Sequence, residues 1–387
     1  MAYTVLHEVE QNLKDIHSLI NDLFLIPVSY TNVLYIHAPF CFKRCSFCAY
    51  SSLVPSNGDE IRNFYENILP GQVEFYSGVL KTAKFQQVFF GGGTPNLISG
   101  VLLDQMFSML SGFKRIPQKM FEVNPWFLTD EHIEVLKKWD FTLISMGVQT
   151  LNRDVLKKNN RDYVGVEKLR AICSSLHGAG IMTSMDLLAL INRGDISDLE
   201  QVRDDLDKIM SDVCPTEIVL HINYRQELPV SLLSEIIKLI REMIGRYPEY
   251  QCVNSLLTEA EAAKYYRKYP AFRLMRKNQS YTFYMQPLIP RPGTDGHNML
   301  AIGHYKGINL ITDYLDNSFY LSQKHYKVRT CDSNPQYFEK KKNDYLEYQK
   351  IRRQLGLYYA EIPDSPFYNS NDYETYKKII GKLAKYI

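Results

Sequence analysis

The run Tyr35-Ile-His-Ala-Pro-Phe-Cys-Phe-Lys-Arg-Cys-Ser-Phe-Cys-Ala-Tyr50 joins a short apolar segment, which predicts a β-strand, to a loop with three cysteines. These are Cys41, Cys45 and Cys48. Clustered thiolates favour zinc, copper(I) or iron–sulfur clusters over hard cations. A closed zinc site or a complete iron–sulfur cluster normally takes four protein ligands. Three thiolates therefore indicate a metal centre with one position left for a cofactor or substrate. The alternative is a structural zinc ribbon in which His37 or a distant residue is the fourth ligand.

Short apolar segments alternate with helical patterns from residue 33 to about 223. The predicted strands are 33–38, 87–91, 119–123, 143–148, 183–189 and 217–223. The predicted helices lie around 59–80, 99–111, 129–139, 164–178 and 197–211. Such alternation predicts a parallel sheet with right-handed crossovers, and six units predict an incomplete barrel.

The predicted fold class is therefore α/β, a partial (β/α)6 TIM-like barrel with a smaller α+β C-terminal extension. We expect an N-terminal helical segment at 1–30, the barrel at 31–225, and a C-terminal region for substrate or a second cofactor at 226–387. In barrels of this kind the reactive groups lie at the carboxyl ends of the strands. The candidates at or near those ends are the cysteine loop, Gly92, Gly93, Thr94, Glu122, Gln149 and Asp186.

Composition and charge indicate which partners and which cellular compartment to expect. The 387 residues carry a formal net charge of +2, with acidic and basic residues mixed, so nucleic acid and anionic membranes are not expected as main partners. The first 30 residues lack a signal-peptide pattern, and no apolar run reaches the roughly 18 residues of a membrane span. Seven cysteines, three of them clustered, fit a reducing compartment. The sequence predicts a soluble cytoplasmic protein.

The cysteine spacing Cys-x3-Cys-x2-Cys, with Phe47 before the last cysteine, resembles the cluster loop of the radical S-adenosylmethionine (SAM) superfamily. Within it, the chain is similar to the subgroup of oxygen-independent coproporphyrinogen III dehydrogenase and the related haem chaperone. Four further segments match in the order of the family: Phe89–Pro95, Phe121–Pro125, Ser145–Thr150 and Asn160–Arg161. The resemblance extends from about Leu34 to Asn223 and is thin afterwards.

The resemblance implies that Cys41, Cys45 and Cys48 hold a [4Fe-4S] cluster whose fourth iron binds the amino and carboxylate groups of SAM. An electron passed through the cluster would break a carbon–sulfur bond of SAM, giving methionine and a 5′-deoxyadenosyl radical that abstracts hydrogen from the substrate. The implied partners are a small-molecule substrate, with a tetrapyrrole as one option, one or two SAM molecules, and an electron donor such as flavodoxin or ferredoxin.

The resemblance also implies contacts with SAM. Gly92, Gly93 and Thr94 would let the backbone approach its methionine part, because they have no side chain or a short one. The remaining contacts would divide by side-chain chemistry: Glu122 and Asp186 as acceptors for amino or ribose groups, Gln149 and Arg161 at ribose or carboxylate, and Tyr35 and Phe47 along the cluster and adenine. No residue is assigned a catalytic role.

Two departures from the subgroup bear on the reaction. Cys48 is followed by Ala49, where the coproporphyrinogen enzyme has a Cys-Gly-Cys arrangement, and His297-Asn298-Met299-Leu300 matches half of the haem signature of the chaperone. The favoured function is a radical SAM enzyme that modifies a small organic substrate, by methyl or methylene transfer with two SAM molecules. The alternatives are coproporphyrinogen III decarboxylation or haem ring opening, a haem-binding chaperone, and a zinc-ribbon module.

Overall fold

A computed structural model describes residues 30–48, 52–110, 112–223, 228–253, 271–277, 279, 296–303 and 357–361, together with single helical positions at 18, 22, 375, 378 and 382. The helical pattern that the sequence predicts for 1–30 lies almost entirely outside these residues. So does the segment that follows Gly303. For residues 296–299, which include His297, only the backbone is described.

Six parallel strands form the centre of the sheet, as the sequence predicts. They are β1 (Tyr30–Ala38), β2 (Gln87–Gly92), β3 (Gln118–Val123), β4 (Leu143–Gln149), β5 (Met182–Ala189) and β6 (Glu217–Ile222). Neighbouring strands in the chain are also neighbours in the sheet, from β1 to β6. The observed bounds differ from the predicted ones by at most three residues, because each strand is a local apolar run.

Helices connect these strands. They are α1 (Gly58–Asn63), α2 (Leu69–Phe75), α3 (Ser77–Thr82), α4 (Gly100–Met109), α5 (Asp130–Lys138), α6 (Arg153–Lys158), α7 (Val166–Gly178), α8 (Leu199–Lys208) and α9 (Val230–Arg246). The single helix predicted at 59–80 is divided into α1, a π-helical turn at Phe64–Ile68, α2 and α3. The short helix α6 was not predicted, since its six residues are fewer than two turns.

Four more strands extend the sheet on both sides of the six. They are β7 (Tyr250–Cys252), β8 (Ala271–Arg276), β9 (Gly296–Ile302) and β10 (Leu357–Glu361). The full order is β10-β9-β1-β2-β3-β4-β5-β6-β8-β7, with β9 parallel to β1 and β8 antiparallel to β6. Within the described residues the architecture is the predicted α/β class, and the sheet is mixed because the extra strands β7, β8 and β10 run antiparallel to their neighbours.

The two faces of each central strand differ in chemistry. On β5, Met185 and Leu187 belong to the hydrophobic core that packs between the sheet and the helices. Side chains alternate along a strand, so Ser184 and Asp186 point to the opposite face, the interior of the partial barrel. That interior face carries the polar residues from which the site is built.

Candidate cofactor-binding site

A cavity of about 300 Å³ lies at the carboxyl ends of β1–β6. This volume is at the lower end of the range typical of small-molecule sites. Eleven of the twelve residues assigned from the sequence line it: Cys41, Cys45, Phe47, Cys48, Gly92, Gly93, Thr94, Glu122, Gln149, Arg161 and Asp186. These residues converge because β1–β6 run parallel, so that the carboxyl ends of all six strands lie at the same end of the sheet.

Backbone hydrogen bonds fix the start of the cysteine loop, residues 39–48. The N–H of Cys41 donates to the carbonyl of Leu53 at 2.9 Å, and the N–H of Leu53 donates to the carbonyl of Pro39 at 2.8 Å. From the neighbouring strand end, the N–H of Thr94 donates to the carbonyl of Phe40 at 2.7 Å. The loop therefore keeps a defined position although it has no helix or strand.

The thiols of this loop have polar and charged neighbours, of which the Thr94 hydroxyl and the Arg161 guanidinium suit a thiolate. The Thr94 hydroxyl lies 3.5 Å from the Sγ of Cys41, and the Sγ of Cys45 lies 3.7 Å from the carbonyl oxygen of Asn160. Burial raises the pKa of the Cys45 thiol, whereas the guanidinium of Arg161 beside it acts in the opposite direction. A metal centre would replace the thiol protons.

The three thiols are the donor type that an iron–sulfur cluster takes when one iron is left open to a cofactor. Among the described residues, no group of three or more His, Cys, Asp or Glu side chains converges on one ion position. His37 is buried inside the barrel with its Nδ1 2.9 Å from the Tyr35 hydroxyl, and it does not line the cavity. The zinc-ribbon alternative with His37 as fourth ligand is therefore not supported.

A second segment, residues 159–162, holds the cysteine loop from the side. The Lys43 ammonium forms an ion pair with Asp162 at 2.7 Å. The side-chain amide of Asn160 donates to the carbonyl of Arg44 at 2.9 Å. This segment includes the Asn160–Arg161 motif, so the motif that supplies a cavity side chain also supports the cysteine loop.

The two glycines of the Gly-rich motif are required by packing against β1 and the cysteine loop. Gly92 has φ +111°, and a Cβ there would lie 2.5 Å from Nδ1 of His37. A Cβ on Gly93 would overlap the carbonyl oxygen of Phe40. Both glycines line the cavity as well, but the structure gives a reason for glycine that is independent of SAM.

Two carboxylates face the cavity from β3 and β5. The N–H of Gly92 donates to Oε2 of Glu122 at 3.3 Å, and the Ser145 hydroxyl donates to Oδ2 of Asp186 at 3.0 Å. Burial, together with the negative charge of Asp186, raises the pKa of Glu122 to about 8. Nε2 of His221 lies 3.6 Å from Oδ1 of Asp186. The arrangement can accept hydrogen bonds from a cationic or hydroxyl-bearing ligand.

Gln149 and Arg161 meet at the end of β4. Gln149 has φ +72°, a left-handed conformation that is unusual for a residue other than glycine, and the register of β4 against β5 shifts between Gly147 and Gln149. The Arg161 guanidinium donates to the carbonyl of Gly147. A bulge of this kind redirects a side chain at the end of a strand.

Tyr35 is the one assigned residue that does not line the cavity. It is 1% exposed, its ring stacks on Phe89 at 5.4 Å between centroids, and its hydroxyl contacts His37. Its position halfway along β1 places it below the strand ends. Phe47, in contrast, lines the cavity, and its contact with the cluster and adenine stays a prediction.

Ser145 and His221 were not predicted as site residues. Ser145 lies inside the Ser145–Thr150 motif, two positions before Gly147, so strand alternation was the signal that could have placed it on the cavity face. His221 lies in the predicted strand 217–223, two positions after Val219, which pairs with Asp186. Strand alternation alone would have placed His221 on the same face as Glu217.

Residues 35–206 match the family described as the Radical SAM superfamily. The heme chaperone HemW of Lactococcus lactis is 28% identical over 183 residues, which cover 46% of this chain and 46% of that protein. The heme chaperone HemW of Buchnera aphidicola from Schizaphis graminum is 31% identical over 144 residues, covering 36% and 38%. The oxygen-independent coproporphyrinogen III oxidase of Helicobacter pylori is 29% identical over 133 residues, covering 33% and 29%. The chain spans less than half the length of these relatives.

The solved structure of coproporphyrinogen III oxidase (HemN) from Escherichia coli aligns with a TM-score of 0.51 at 15% identity, covering 87% of this chain and 78% of that chain. At this identity the likeness shows the fold, and it confirms the predicted α/β class. None of the helices in the described ranges has the length and apolar character needed to cross a bilayer. The Radical SAM superfamily binds a [4Fe-4S] cluster and SAM, the two cofactors that the sequence predicts. The family match and the three-cysteine loop above parallel strands show that residues 35–206 of this chain form a Radical SAM domain.

Proposed function

We propose that this chain binds a [4Fe-4S] cluster through Cys41, Cys45 and Cys48, cleaves SAM reductively in the adjacent cavity, and acts on a tetrapyrrole. One observation carries the first two steps. The three cysteines and the strand-end polar residues, which are far apart in the sequence, line a single cavity. When bound, the cluster and SAM supply one-electron cleavage of a carbon–sulfur bond and a carbon-centred radical.

The chain's own residues would bind and orient SAM. Glu122 and Asp186 present carboxylate oxygens to the cavity and suit its ammonium and ribose hydroxyl groups. Arg161 and Gln149 present donors that suit its carboxylate and ribose. Because Glu122 has a raised pKa, binding of the SAM ammonium beside it would release a proton from the carboxyl group.

The substrate class is proposed from the relatives and from the cavity lining. The curated relatives are named for heme and for coproporphyrinogen III, and none of those quoted is named for methyl transfer. The cavity also has apolar side chains, including Phe42 and Phe127, whose ring centroids are 5.7 Å apart. Aromatic rings can stack on a flat macrocycle. We therefore place tetrapyrrole chemistry ahead of the methyl or methylene transfer that the sequence favoured.

The proposal is tested by anaerobic reconstitution with iron and sulfide, followed by dithionite and SAM. Mass spectrometry should detect 5′-deoxyadenosine, and adding coproporphyrinogen III or haem should increase its formation. Cys45→Ala should abolish it, because the cluster loses one of three thiolates. Cys214→Ala is the matched control, since Cys214 lies outside the cavity. Unchanged deoxyadenosine formation in Cys45→Ala would overturn the assignment, and S-adenosylhomocysteine as a second product would restore methyl transfer.

A haem carrier is the second candidate, because two of the quoted relatives are named heme chaperones. Titration with haem, followed by its absorption spectrum, would distinguish a haem carrier from the enzyme. Stoichiometric haem binding without SAM cleavage supports the carrier. Substoichiometric haem binding with SAM cleavage supports the enzyme.

We also propose that the protein works in a reducing compartment such as the cytoplasm, since the cluster ligands must remain thiolates. A flavodoxin or ferredoxin would deliver the electron. Replacing dithionite with reduced flavodoxin or ferredoxin in the deoxyadenosine assay tests this donor class.

A further inference from the structure

The turn that follows Gln149 is held by one buried carboxylate of α8. Asp205 is 4% exposed, and its Oδ2 accepts a hydrogen bond from the Thr150 hydroxyl at 2.6 Å. Its Oδ1 accepts from the N–H of Leu151 at 3.0 Å and from the side-chain amide of Gln201 at 2.8 Å. Asp205 does not line the cavity. The carboxylate therefore fixes the two residues after Gln149 from outside the site.

The backbone at Gln149 needs such support. A residue other than glycine with φ near +72° is strained and persists only where the surroundings enforce it. The N–H of Asn152 donates to the Thr150 hydroxyl at 3.1 Å, so the hydroxyl bonded to Asp205 also organises the start of α6. Without Asp205, Thr150 and Leu151 lose their bonds to α8, and the backbone next to Gln149 can relax towards an unstrained conformation. The side-chain amide of Asn152 keeps its bond to Gln201 at 2.6 Å, so the start of α6 stays attached to α8.

We propose that Asp205 is a positioning residue: it holds the turn at 149–151 so that the Gln149 side chain faces the cavity in the orientation that SAM binding requires. The inference rests on the proposed function, because SAM is the ligand that Gln149 would contact. Asp205 itself touches neither ligand nor metal. Its effect on SAM must therefore pass through Gln149.

A double-mutant cycle tests this dependence. The dissociation constant of SAM is measured by equilibrium dialysis on the reconstituted protein for wild type, Asp205→Asn, Gln149→Ala and the double variant. Asp205→Asn should weaken SAM binding about tenfold, the scale of one hydrogen bond to a charged group. In the Gln149→Ala background the same change should have almost no effect. Asp204→Asn is the control, because it removes a charge from an exposed position on α8.

A second readout uses the protein without cofactors. Hydrogen exchange in the peptide 148–153 should accelerate in Asp205→Asn, while exchange within β5 stays unchanged. If Asp205→Asn does not fold, Thr150→Val and Thr150→Ser replace it. The valine removes the hydroxyl bond and should weaken SAM binding, whereas the serine keeps the bond and should not.

The outcomes distinguish a failure of the proposed function from a failure of the role proposed for Asp205. If wild type does not bind SAM, the proposed function fails and the inference falls with it. If wild type binds SAM and Asp205→Asn weakens binding equally in both backgrounds, Asp205 acts on the fold in general and only the inference is overturned. Unaltered SAM binding in Asp205→Asn also overturns it.

Discussion

The cysteine loop and the carboxylates on the strands face the same cavity, but different forces place them. The cysteine loop, residues 39–48, has no regular structure and is positioned by contacts from Gly93, Thr94 and the segment 159–162. Glu122 and Asp186 lie on β3 and β5, so strand register places them. The positions of the three cysteines thus depend on a few contacts between distant segments, whereas those of the carboxylates depend on the whole sheet.

The contrast predicts that the largest effect on cluster binding comes from disturbing the support of the loop. In Gly93→Ala the new methyl group would strike the carbonyl of Phe40, which accepts the N–H of Thr94. Overpacking of this kind destabilises proteins by about 1–3 kcal/mol. We expect the iron content after reconstitution to fall at least severalfold, as measured by iron and sulfide analysis.

Gly78→Ala is the matched control for this change. Gly78 lies in α3, and a methyl group added there would meet nothing within 4 Å, so alanine should leave iron content unchanged and raise helix stability slightly. Full iron loading in Gly93→Ala would show that the loop adapts, and the contrast between the two regions would be lost.

For the carboxylates on the strands, the comparison predicts an effect of pH on folding stability. Burial and Asp186 raise the pKa of Glu122 from 4.5 to about 8. Between these values the unfolded chain releases the proton of Glu122 and the folded protein keeps it, so folding becomes less favourable as pH rises from about 4.5 to 8. In Glu122→Gln the side chain cannot ionise, so this loss of folding stability at higher pH does not occur. We expect its melting temperature to exceed that of wild type by about 5–10 °C near pH 8 and by little at pH 5.

Thermal unfolding of the cofactor-free protein at several pH values measures this difference. Glu131→Gln is the control, because Glu131 also accepts a hydrogen bond from a glycine N–H, that of Gly100 at 3.2 Å, but lies at the surface. A Glu122→Gln difference that stays constant with pH would mean that Glu122 is ionised in the folded protein.

The same contrast explains what the sequence could predict. The strands β1–β6 are local apolar runs, and parallel topology alone brings their ends together, so the placement of Glu122 and Asp186 followed. Tyr35 was assigned to the cavity, but it pairs with Phe89, two residues before Gly91, and therefore lies deeper in the barrel. The face of β1 on which Tyr35 lies was predictable, whereas its distance from the carboxyl ends of the strands required the register of β1 against β2.

Contacts between distant segments were not predictable. Lys43 and Asp162 are 119 residues apart in the chain, and Thr150 and Asp205 are 55 apart. No periodicity links such pairs, because they join loops and helices that meet only in the folded protein. The sequence therefore predicted which residues line the cavity and missed the contacts that hold them in place.

The smallest expected effect belongs to the ion pair that supports the cysteine loop. Lys43 and Asp162 are 2.7 Å apart, and their side chains are 29% and 21% exposed. Solvent screens such a pair, so its coupling should be about 0.5–1 kcal/mol in a double-mutant cycle of Lys43→Met and Asp162→Asn. Iron loss to a chelator should accelerate less than about fivefold, which is the rate change that 1 kcal/mol gives.

Lys137→Met tests whether this effect belongs to the loop. Lys137 forms an ion pair with Glu134 at the same 2.7 Å separation, but on α5 and away from the cysteines. Its removal should leave iron loss unchanged. If both lysine variants lose iron at the wild-type rate, the backbone bond from Thr94 and the side-chain bond from Asn160 hold the cysteine loop without the ion pair. If both variants lose iron faster, the overall stability of the protein sets the rate of iron loss. The cysteine loop would then depend on the whole fold, as the carboxylates do.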